Sequence, residues 1–456
     1  MTQDAIFTFS KDNVIKEVNM YRTVYEDLLK WKNSIYRKPL ILNGARQTGK
    51  TWLLKEFGKK EYKNMAYINC DNNPAMQNVF TDFDTSRLIR IFSALSGETI
   101  KPNSTLIVLD EVQQVPLALT SLKYFCENAP EYHIAVAGSL LGIGLHSGTG
   151  FPVGKVEEIN IFPMSFMEFL LASGNSNLTE LIHERNWEYI SALSPKLEDL
   201  LRQYYFVGGM PEVVDYYLKT QDLNGTRAIQ KRIIKNYRAD FSKHVPANQL
   251  TKVEMVWNSI PSQLAKENKK FIYSMLKKGA RAKEFEDAIQ WLHDAGLIYK
   301  VERVKSVSMP LKFYEDFGVF KLFLSDLGLL GALSDVNAKD ILIDNKIFSE
   351  YKGAFTEQYV AQQLISNKEH PYYYSKDNSS LELDFVIQKD KVFPIEVKAE
   401  ENVRSKSLKT VVDENKDMVG WRFSMNGYID QGWLVNIPLY LIEEWVKSKS
   451  EDNSVS

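Results

Sequence analysis

The chain has 456 residues, of which 44% are hydrophobic, and a formal net charge of −2 at pH 7. This length predicts several domains, and the hydrophobic fraction is sufficient for their cores. The two cysteines, Cys70 and Cys126, exclude a disulfide framework and leave no metal-ligand spacing. The start of the chain is polar and no apolar run is long enough for a membrane span, so we expect a cytoplasmic protein without a membrane partner. The small net charge neither indicates nor excludes a polyanionic partner.

A glycine-containing string follows the first predicted helix and strand. Residues Glu17 to Asn33 show helical spacing of apolar side chains, and Pro39 to Leu42 form an apolar strand. The string Gly44 to Thr51, GARQTGKT, fits the pattern G-x-x-x-x-G-K-[ST] in full. A strand before this string and a helix after it are the context that a phosphate-binding loop requires. The alternative interpretation is a surface turn that happens to contain glycine.

Each part of the loop has a role in binding a nucleoside triphosphate. Gly44 and Gly49 allow the backbone N–H groups to point at phosphate oxygens, and the helix N-terminus adds its positive dipole end. Lys50 brings a charge to the β- and γ-phosphates, and Thr51 offers a hydroxyl to Mg²⁺. The sequence therefore predicts ATP and Mg²⁺ as ligands. The expected nucleotide-binding residues are Gly44, Ala45, Arg46, Gln47, Thr48, Gly49, Lys50, Thr51 and Trp52.

Two acidic residues follow a second apolar strand. Residues Leu106 to Leu109 form a continuous apolar run, typical of a strand that is buried on both faces of a parallel sheet. At its end, Asp110 is expected to hold Mg²⁺ through water, together with Thr51. Glu111 is the expected general base for the attacking water, and Lys50 is the second predicted catalytic residue. The alternative is that the acidic pair only caps the helix that follows.

A polar residue also ends a third apolar strand. Residues His133 to Gly138 form this strand, and Ser139 follows it. From this position Ser139 is expected to sense the γ-phosphate. The alternative is that Ser139 caps a helix starting at Leu140.

These motifs together resemble the AAA-type ATPases. Within them the chain is most similar to the bacterial and archaeal group related to the STAND signalling ATPases. Four further strings carry this resemblance: AGSLLGI from Ala137, FPVGKV from Phe151, IFPMSFMEFL from Ile161 and GGMPEVV from Gly208. The resemblance implies a helical lid after the ATPase core, then a winged helix and a C-terminal domain of unknown function with a restriction-endonuclease-like core. Lys155 stands where many relatives carry arginine, so the source of any arginine finger stays open.

The expected fold class is α/β, with a three-layer parallel sheet in the ATPase core. The predicted domains are the P-loop AAA-type ATPase core, the helical lid, the winged helix, the restriction-endonuclease-like domain and a disordered tail. Their bounds are 1–193, 194–250, 251–335, 336–446 and 447–456. Lid helices are expected at Leu197 to Phe206 and Thr226 to His244, and winged-helix helices at Phe271 to Lys277 and Phe285 to Asp294.

Basic residues are frequent around the predicted winged helix. They are Lys269, Lys270, Lys277, Lys278, Arg281 and Lys283. A winged helix with basic surroundings is suited to DNA, which makes DNA a predicted partner. The alternative is a rigid spacer between the nucleotide-binding and C-terminal domains.

The C-terminal third contains a predicted strand pair with charged residues on one face. In a hairpin of Leu381 to Ile387 with Val392 to Lys398, Asp384 falls opposite Glu396, and Glu396 shares its face with Lys398. Two carboxylates and a lysine on one patch are what a Mg²⁺-dependent phosphodiesterase requires. The spacing resembles the D…E-x-K motif of restriction-endonuclease-like nucleases, in which Glu357 matches an additional acid on the first helix. The alternative is an ordinary hairpin with one solvated face.

Two hypotheses for function follow. The first is an ATP-driven enzyme or switch whose C-terminal domain cuts or grips nucleic acid. The second is a regulatory ATPase whose nucleotide state governs the interaction with another protein, through a C-terminal domain that is not catalytic and does not touch DNA. The sequence leaves the oligomeric state open.

Overall fold

The computed structural model describes residues 18, 20–71, 73, 75–139, 151–342, 346–399, 405–415 and 417–451. Within these ranges the chain forms two β-sheets with helices packed around them. The α/β class predicted from the sequence is confirmed. No helix in the described part of the chain is long and apolar enough to cross a membrane.

The first sheet is parallel and has five strands in the order β2-β3-β4-β1-β5. The strands are β1 Leu40–Asn43, β2 Asn64–Asn69, β3 Thr105–Asp110, β4 His133–Ala137 and β5 Glu157–Asn160. The helices in this part of the chain are α1 Val24–Asn33, α2 Lys50–Glu61, α3 Ala75–Val79, α4 Thr85–Ser96 and α5 Pro116–Asn128.

Helices cover both faces of this sheet. On one face, apolar side chains of α1 and α2, such as Trp31 and Phe57, pack against Leu40 and Val108 of the strands. On the other face, α4 and α5 pack against the alternate strand residues. Because β1, β3 and β4 are neighbours and parallel, their carboxyl ends bring the loop after β1, the acidic pair and Ser139 to one edge.

A group of helices follows the first sheet. They are α6 Phe166–Ala172, α7 Ser176–His183, α8 Trp187–Ala192, α9 Ser194–Val207, α10 Pro211–Thr220, α11 Leu223–His244 and α12 Leu250–Leu264. The two lid helices expected from the sequence correspond to α9 and α11. Their buried side chains, including Tyr204 and Tyr237, belong to one large hydrophobic core that continues into the C-terminal part of the chain.

The second sheet has eight strands in the order β12-β13-β11-β10-β9-β8-β6-β7. The strands are β6 Ile298–Val304, β7 Glu315–Leu324, β8 Tyr372–Ser375, β9 Glu382–Gln388, β10 Val392–Val397, β11 Gly420–Ser424, β12 Ile429–Asp430 and β13 Leu434–Pro438. The remaining helices are α13 Ala282–Asp294, α14 Leu327–Leu333, α15 Ala338–Leu342, α16 Lys346–Ser366, α17 Lys406–Glu414 and α18 Ile442–Glu451. This sheet joins strands from both sides of the boundary predicted at residue 335, through the parallel pairing of β6 with β8.

Two predicted segments differ from the observed structure. The helix expected at Phe271 to Lys277 is a 3-10 turn, Tyr273–Met275, because the N–H of Phe271 donates to the carbonyl of Phe320 in β7 at 2.8 Å. Helix α18 continues through the first five residues of the segment expected to be a disordered tail, where Lys447 pairs with Glu443 at 3.1 Å. Residues 452–456 and the helix expected from Leu140 lie outside the described residues.

Candidate nucleotide-binding site

The loop between β1 and α2 has the backbone conformation that its glycines allow. Gly44 has a φ of +150°, and a Cβ on it would lie 2.2 Å from the carbonyl oxygen of Ile161. Gly49 has a φ of +93° in the left-handed region and stands immediately before α2. A side chain at either position would strain the loop or collide with its neighbour. The two glycines therefore permit the tight path by which the loop passes from β1 into α2.

Lys50 is buried within this loop. Its Nζ donates to the carbonyl oxygens of Gly44 and Ala45, at 2.7 and 2.8 Å. Burial lowers the pKa of the Lys50 ammonium to about 8, although Glu111 and Asp110 act in the opposite direction. The cation is held close to the loop by neutral carbonyl groups, which an anionic ligand is able to replace.

Thr51 and Asp110 meet at the edge of the sheet, as the sequence predicts for the ligands of a cation. The Thr51 hydroxyl donates to Asp110 Oδ2 at 2.7 Å, and the Tyr67 hydroxyl donates to the same oxygen at 2.9 Å. Burial, reinforced by Asp110, raises the pKa of Tyr67 above its usual range, so Tyr67 remains a donor. A hydroxyl and a carboxylate side by side fit Mg²⁺, which prefers a few protein oxygens and keeps water and phosphate as its other ligands.

Glu111 has an unusual backbone and two polar neighbours. Its φ of 55° is left-handed, a conformation that costs energy for a residue with a side chain and that clusters at functional sites. Glu111 Oε2 accepts from Gln113 Nε2 at 2.5 Å and from the Ser139 hydroxyl at 3.4 Å. Gln113 Nε2 also donates to Ser139 Oγ at 3.1 Å. The expected general base and the expected sensor are thus in one hydrogen-bonded group.

These side chains line a cavity of about 570 Å³, a volume in the range of ligand pockets. Its walls are formed by Met20, Arg22, Arg46, Gln47, Gly49, Lys50, Thr51, Trp52, Asp110, Glu111, Ser139, Pro211, Glu212 and Asp215. Among the predicted nucleotide-binding residues, Thr48 is buried and donates to the Ala45 carbonyl, whereas Gly44 and Ala45 line a different cavity on the other side of the loop. Trp52 is half-exposed at the entrance.

Arg22 holds the phosphate loop and was not predicted from the sequence. Its side chain is 4% exposed, and it donates to the carbonyls of Thr48 and Phe162, at 2.8 and 2.5 Å, and to Glu168 at 3.2 Å. Its partners are distant in sequence and no local motif marks it. The same holds for Tyr67, whose contact with Asp110 depends on the pairing of β2 with β3.

Helix α11 touches the phosphate loop directly. Arg46 forms an ion pair with Asp240 of α11, and the Tyr237 hydroxyl donates to the Arg46 carbonyl at 2.9 Å. Gly296, in the turn between α13 and β6, packs on the same loop, since a Cβ on it would lie 3.1 Å from the Ala45 nitrogen. Two elements outside the first sheet are therefore in contact with the residues expected to bind phosphate.

Four other cations have protein partners. On α11, Lys231 pairs with Asp335 at 2.6 Å, Arg232 pairs with Glu212, and Arg238 donates to Asn258 at 2.7 Å. Lys155 pairs with Glu127 at 3.0 Å. These four cations are outside the described wall of the cavity.

The charged residues predicted in the C-terminal domain form two separate groups. The antiparallel pairing of β9 with β10 places Phe385 opposite Ile395. Asp384 and Glu396 are the residues next to this pair on the two strands, so they are neighbours across the hairpin, as predicted. Glu396 is bound by Lys398, at 2.9 Å between Oε1 and Nζ. Asp384 instead faces Glu357, and its Oδ2 accepts from the Val397 N–H at 2.7 Å.

Two lysines neutralise the second group. Lys269 Nζ lies 2.5 Å from Glu357 Oε1, and Lys321 Nζ lies 3.6 Å from Glu357 Oε2 and 2.7 Å from Glu382. Burial, together with the Glu357 charge, raises the pKa of Asp384 to about 7. Burial also acts to raise the pKa of Glu357, but Lys321 and Lys269 outweigh it and lower that pKa.

A divalent metal does not fit this arrangement, because ammonium groups already stand at the carboxylate that would bind it. Among the described residues there is no group of three or more His, Cys, Asp or Glu side chains placed to hold a metal ion. Lys269, which the sequence suggested as part of a basic surface, is instead committed to Glu357. The metal-binding and nuclease roles of Glu357, Asp384, Glu396 and Lys398 stay predictions.

Three family models match parts of the chain. Residues 36–170 match the model described as AAA domain. Residues 198–340 match a domain of unknown function (DUF8612), and residues 352–436 match a domain of unknown function (DUF4143). Residues 36–170 are thus similar to an AAA domain, and the Gly44–Thr51 loop, the parallel sheet and the lined cavity are those of a P-loop ATPase. The winged helix and the restriction-endonuclease-like core are not shown by these matches.

The chain is also similar to solved structures, although no curated protein matches its sequence. The Walker-type ATPase PABY2304 of Pyrococcus abyssi is 14% identical with a TM-score of 0.44, over 69% of this chain and 96% of that one. The Aeropyrum pernix ORC1 protein in complex with DNA is 14% identical with a TM-score of 0.25, over 69% and 90%. Cdc6p from Pyrobaculum aerophilum is 12% identical with a TM-score of 0.27, over 74% and 97%. At these values the similarities support no inference about function.

Proposed function

We propose that this protein binds Mg·ATP in the cavity beside the phosphate loop and hydrolyses it. The observation that carries the proposal is the convergence of Lys50, Thr51, Asp110, Glu111 and Ser139 on one cavity. These five residues come from three strand ends that are neighbours in the parallel sheet. They provide a cation for phosphate, oxygen ligands for Mg²⁺, a carboxylate base and a polar group close to it.

Each residue has a separate role in the proposed reaction. Lys50 leaves the carbonyls of Gly44 and Ala45 and binds the β- and γ-phosphates. Glu111 accepts a proton from the water that attacks the γ-phosphorus, while the bond from that phosphorus to the bridging oxygen breaks and ADP leaves. Ser139, hydrogen-bonded to Glu111, orients the base relative to the γ-phosphate. Mg²⁺, held by Thr51 and Asp110, supplies charge neutralisation on the phosphate oxygens when it is bound.

The nucleotide state is proposed to control the C-terminal domain. The loop that is proposed to bind phosphate is also contacted by Asp240 of α11 and by the turn at Gly296. Strand β6 starts two residues after Gly296 and pairs with β8 of the C-terminal domain. Gly296 and β6 therefore form a short, packed connection between the loop and the eight-stranded sheet. A packed connection of this kind is a physical means of coupling two sites.

Replacing Lys50 tests the nucleotide site. Lys50→Ala removes the cation for the β,γ-phosphates, so binding of a fluorescent ATP analogue and release of phosphate should both be lost. The matched control is Lys59→Ala, which removes an exposed lysine from the same helix. Binding by Lys50→Ala that equals binding by Lys59→Ala and wild type would rule the assignment out.

A nucleic-acid contact is a second proposed function, and one surface favours it. Lys277, Lys278, Arg281 and Lys283 are exposed within seven residues of chain, and none has an ion-pair partner among the described residues. Such a surface binds phosphate backbones with an affinity that falls as salt rises. Changing Lys277 and Lys278 to glutamate should weaken DNA retention and reduce its salt dependence, whereas the same retention in the variant would exclude this surface.

The output of the C-terminal domain has two proposed forms. In the first, the domain cuts nucleic acid under control of the nucleotide. In the second, it is a non-catalytic module that binds a regulatory protein, and the lysines on Glu357 favour this form. A cleavage assay with Mg²⁺ or Mn²⁺, with and without ATP, separates them. Cleavage that Asp384→Asn abolishes without change in ATP hydrolysis would support the first form; no cleavage under any of these conditions would support the second.

A further inference from the structure

A buried charge group lies where two parts of the chain meet. Lys269 and Lys321 come from the segment before residue 335, and Glu357, Glu382 and Asp384 come from the segment after it. Lys321 connects Glu357 Oε2 with Glu382 on β9, and Lys269 binds the other carboxylate oxygen, Glu357 Oε1. Buried charges are tolerated only when they are paired, so the carboxylates of one segment depend on the lysines of the other.

The two lysines differ in how firmly the fold holds them. Lys321 is on β7, its side chain is 1% exposed, and its Nζ lies 4.8 Å from the centre of the Tyr373 ring. Lys269 is on the irregular segment between α12 and Phe271, and its side chain is 12% exposed. It therefore approaches Glu357 from the solvent side. Of the two cations, Lys269 is the one that a movement of a short segment is able to withdraw.

Withdrawal of Lys269 would free Glu357 Oε1 and leave Lys321, at 3.6 Å from Glu357 Oε2, as the remaining cation of this carboxylate. Glu357 Oε2 is buried and has no hydrogen-bond partner among the described residues. Asp384, which is hydrogen-bonded to Glu357, adds a second carboxyl group at the same place. Carboxylate oxygens such as the freed Glu357 Oε1 are the ligands that hard divalent cations prefer.

We infer that Lys269 is a built-in counter-ion that occupies the place of a divalent cation at Glu357 and Asp384 and excludes such a cation from it. The Lys269–Glu357 contact joins the segment between α12 and Phe271 to the C-terminal domain. It is then autoinhibitory, because it prevents a divalent cation from binding to Glu357 and Asp384. This inference does not depend on the nucleotide site, because it concerns a different carboxylate group and a test without nucleotide.

The test is the titration of nucleotide-free protein with Mn²⁺, with bound and free Mn²⁺ separated by electron paramagnetic resonance. Lys269→Met removes the charge and keeps an apolar stem, while Lys270→Met makes the same change at the adjacent residue. We expect Lys269→Met to bind Mn²⁺ about tenfold or more tightly than wild type and Lys270→Met, since one positive charge has left the group. The melting temperature of Lys269→Met should rise with Mn²⁺, whereas the other two proteins should not respond.

A second pair of variants links the binding to Glu357. Adding Glu357→Gln to Lys269→Met should remove the additional Mn²⁺ binding, because the neutral amide is a poor ligand. If Lys269→Met does not fold, Lys269→Gln keeps an N–H donor for Glu357 without the charge, and it should show the same gain. Equal Mn²⁺ binding by wild type and both Lys269 variants overturns the inference, as does a gain that survives Glu357→Gln.

Discussion

Arg46 in the phosphate loop and Asp240 in helix α11 form an ion pair, although they are 194 residues apart in sequence. Arg46 is half-exposed and lines the nucleotide cavity, whereas Asp240 is buried. The Tyr237 hydroxyl, one turn earlier on α11, donates to the Arg46 carbonyl. Helix α11 thus holds both the side chain and the backbone of a residue that is expected to meet phosphate.

The Arg46–Asp240 pair should compete with ATP for the guanidinium group. Asp240→Ala releases Arg46, so we expect ATP to bind up to about fivefold more tightly, in line with the ~1 kcal/mol upper value for a partly exposed ion pair. In an Arg46→Ala background the same change should leave ATP affinity unaltered. Dissociation constants of the four proteins form a double-mutant cycle. An equal gain in both backgrounds would mean that Asp240 acts only by its charge and not through Arg46.

Glu111→Gln should separate ATP binding from hydrolysis. The amide keeps the size of the side chain and its contact with Gln113 but accepts no proton from water, so hydrolysis should slow by roughly 10²–10⁴-fold while ATP affinity is kept. Single-turnover phosphate release and equilibrium binding measure the two effects. Glu131→Gln, at an exposed position, is the control. An unchanged hydrolysis rate in Glu111→Gln would assign the left-handed Glu111 to a structural role.

Asp110→Asn should remove the dependence of ATP binding on Mg²⁺. The amide weakens the pair of oxygen ligands that Asp110 and Thr51 present, while Lys50 remains available for the phosphates. We expect wild-type affinity for ATP to fall when EDTA removes Mg²⁺, and the affinity of Asp110→Asn to be the same with and without EDTA. Isothermal titration under both conditions measures this. If EDTA lowered the ATP affinity of Asp110→Asn as much as that of wild type, Mg²⁺ would be bound by other residues.

Features of the nucleotide site that follow from short strings were predictable from the sequence. The loop from Gly44 to Thr51 and the acids after β3 are local patterns, and the parallel order of the strands brings them together. Arg22 was not predictable, because its role rests on contacts with Thr48, Phe162 and Glu168 that only the folded chain creates. Its sequence surroundings do not differ from those of an exposed arginine.

The charged residues around Glu357 also combine local features that were predictable with distant contacts that were not. The β9–β10 hairpin and the neighbouring positions of Asp384 and Glu396 were predicted from the alternation of residues and are confirmed. The lysines on Glu357 were not predicted, because lysine is rarely buried and Lys269 comes from 88 residues earlier in the chain. Local alternation identifies which side chains share a face, but it does not identify the cation that a distant segment brings to them.

The pKa of Lys50 provides a prediction for the pH dependence of ATP binding. Burial lowers this pKa to about 8, and anionic phosphates should raise it again in the complex. Well below pH 8 the ammonium is charged in both states, so the pH dependence of ATP affinity should not come from this group. As pH rises above 8, the free protein loses the proton that the complex keeps, so binding takes up a proton and affinity should fall by up to about tenfold per pH unit.

Isothermal titration at pH 7.5 and pH 9, in two buffers with different enthalpies of ionisation, measures this proton uptake directly. Wild type should take up nearly a full proton on binding ATP at pH 9, about a quarter of a proton at pH 7.5, and almost none in a further titration at pH 6.5. Lys50→Arg is the informative variant, since its guanidinium stays charged over the whole range. It should bind ATP more weakly but without proton uptake at any of these pH values. The same uptake in Lys50→Arg and wild type would show that another group titrates, and that the carbonyls of Gly44 and Ala45 do not hold a partly deprotonated lysine.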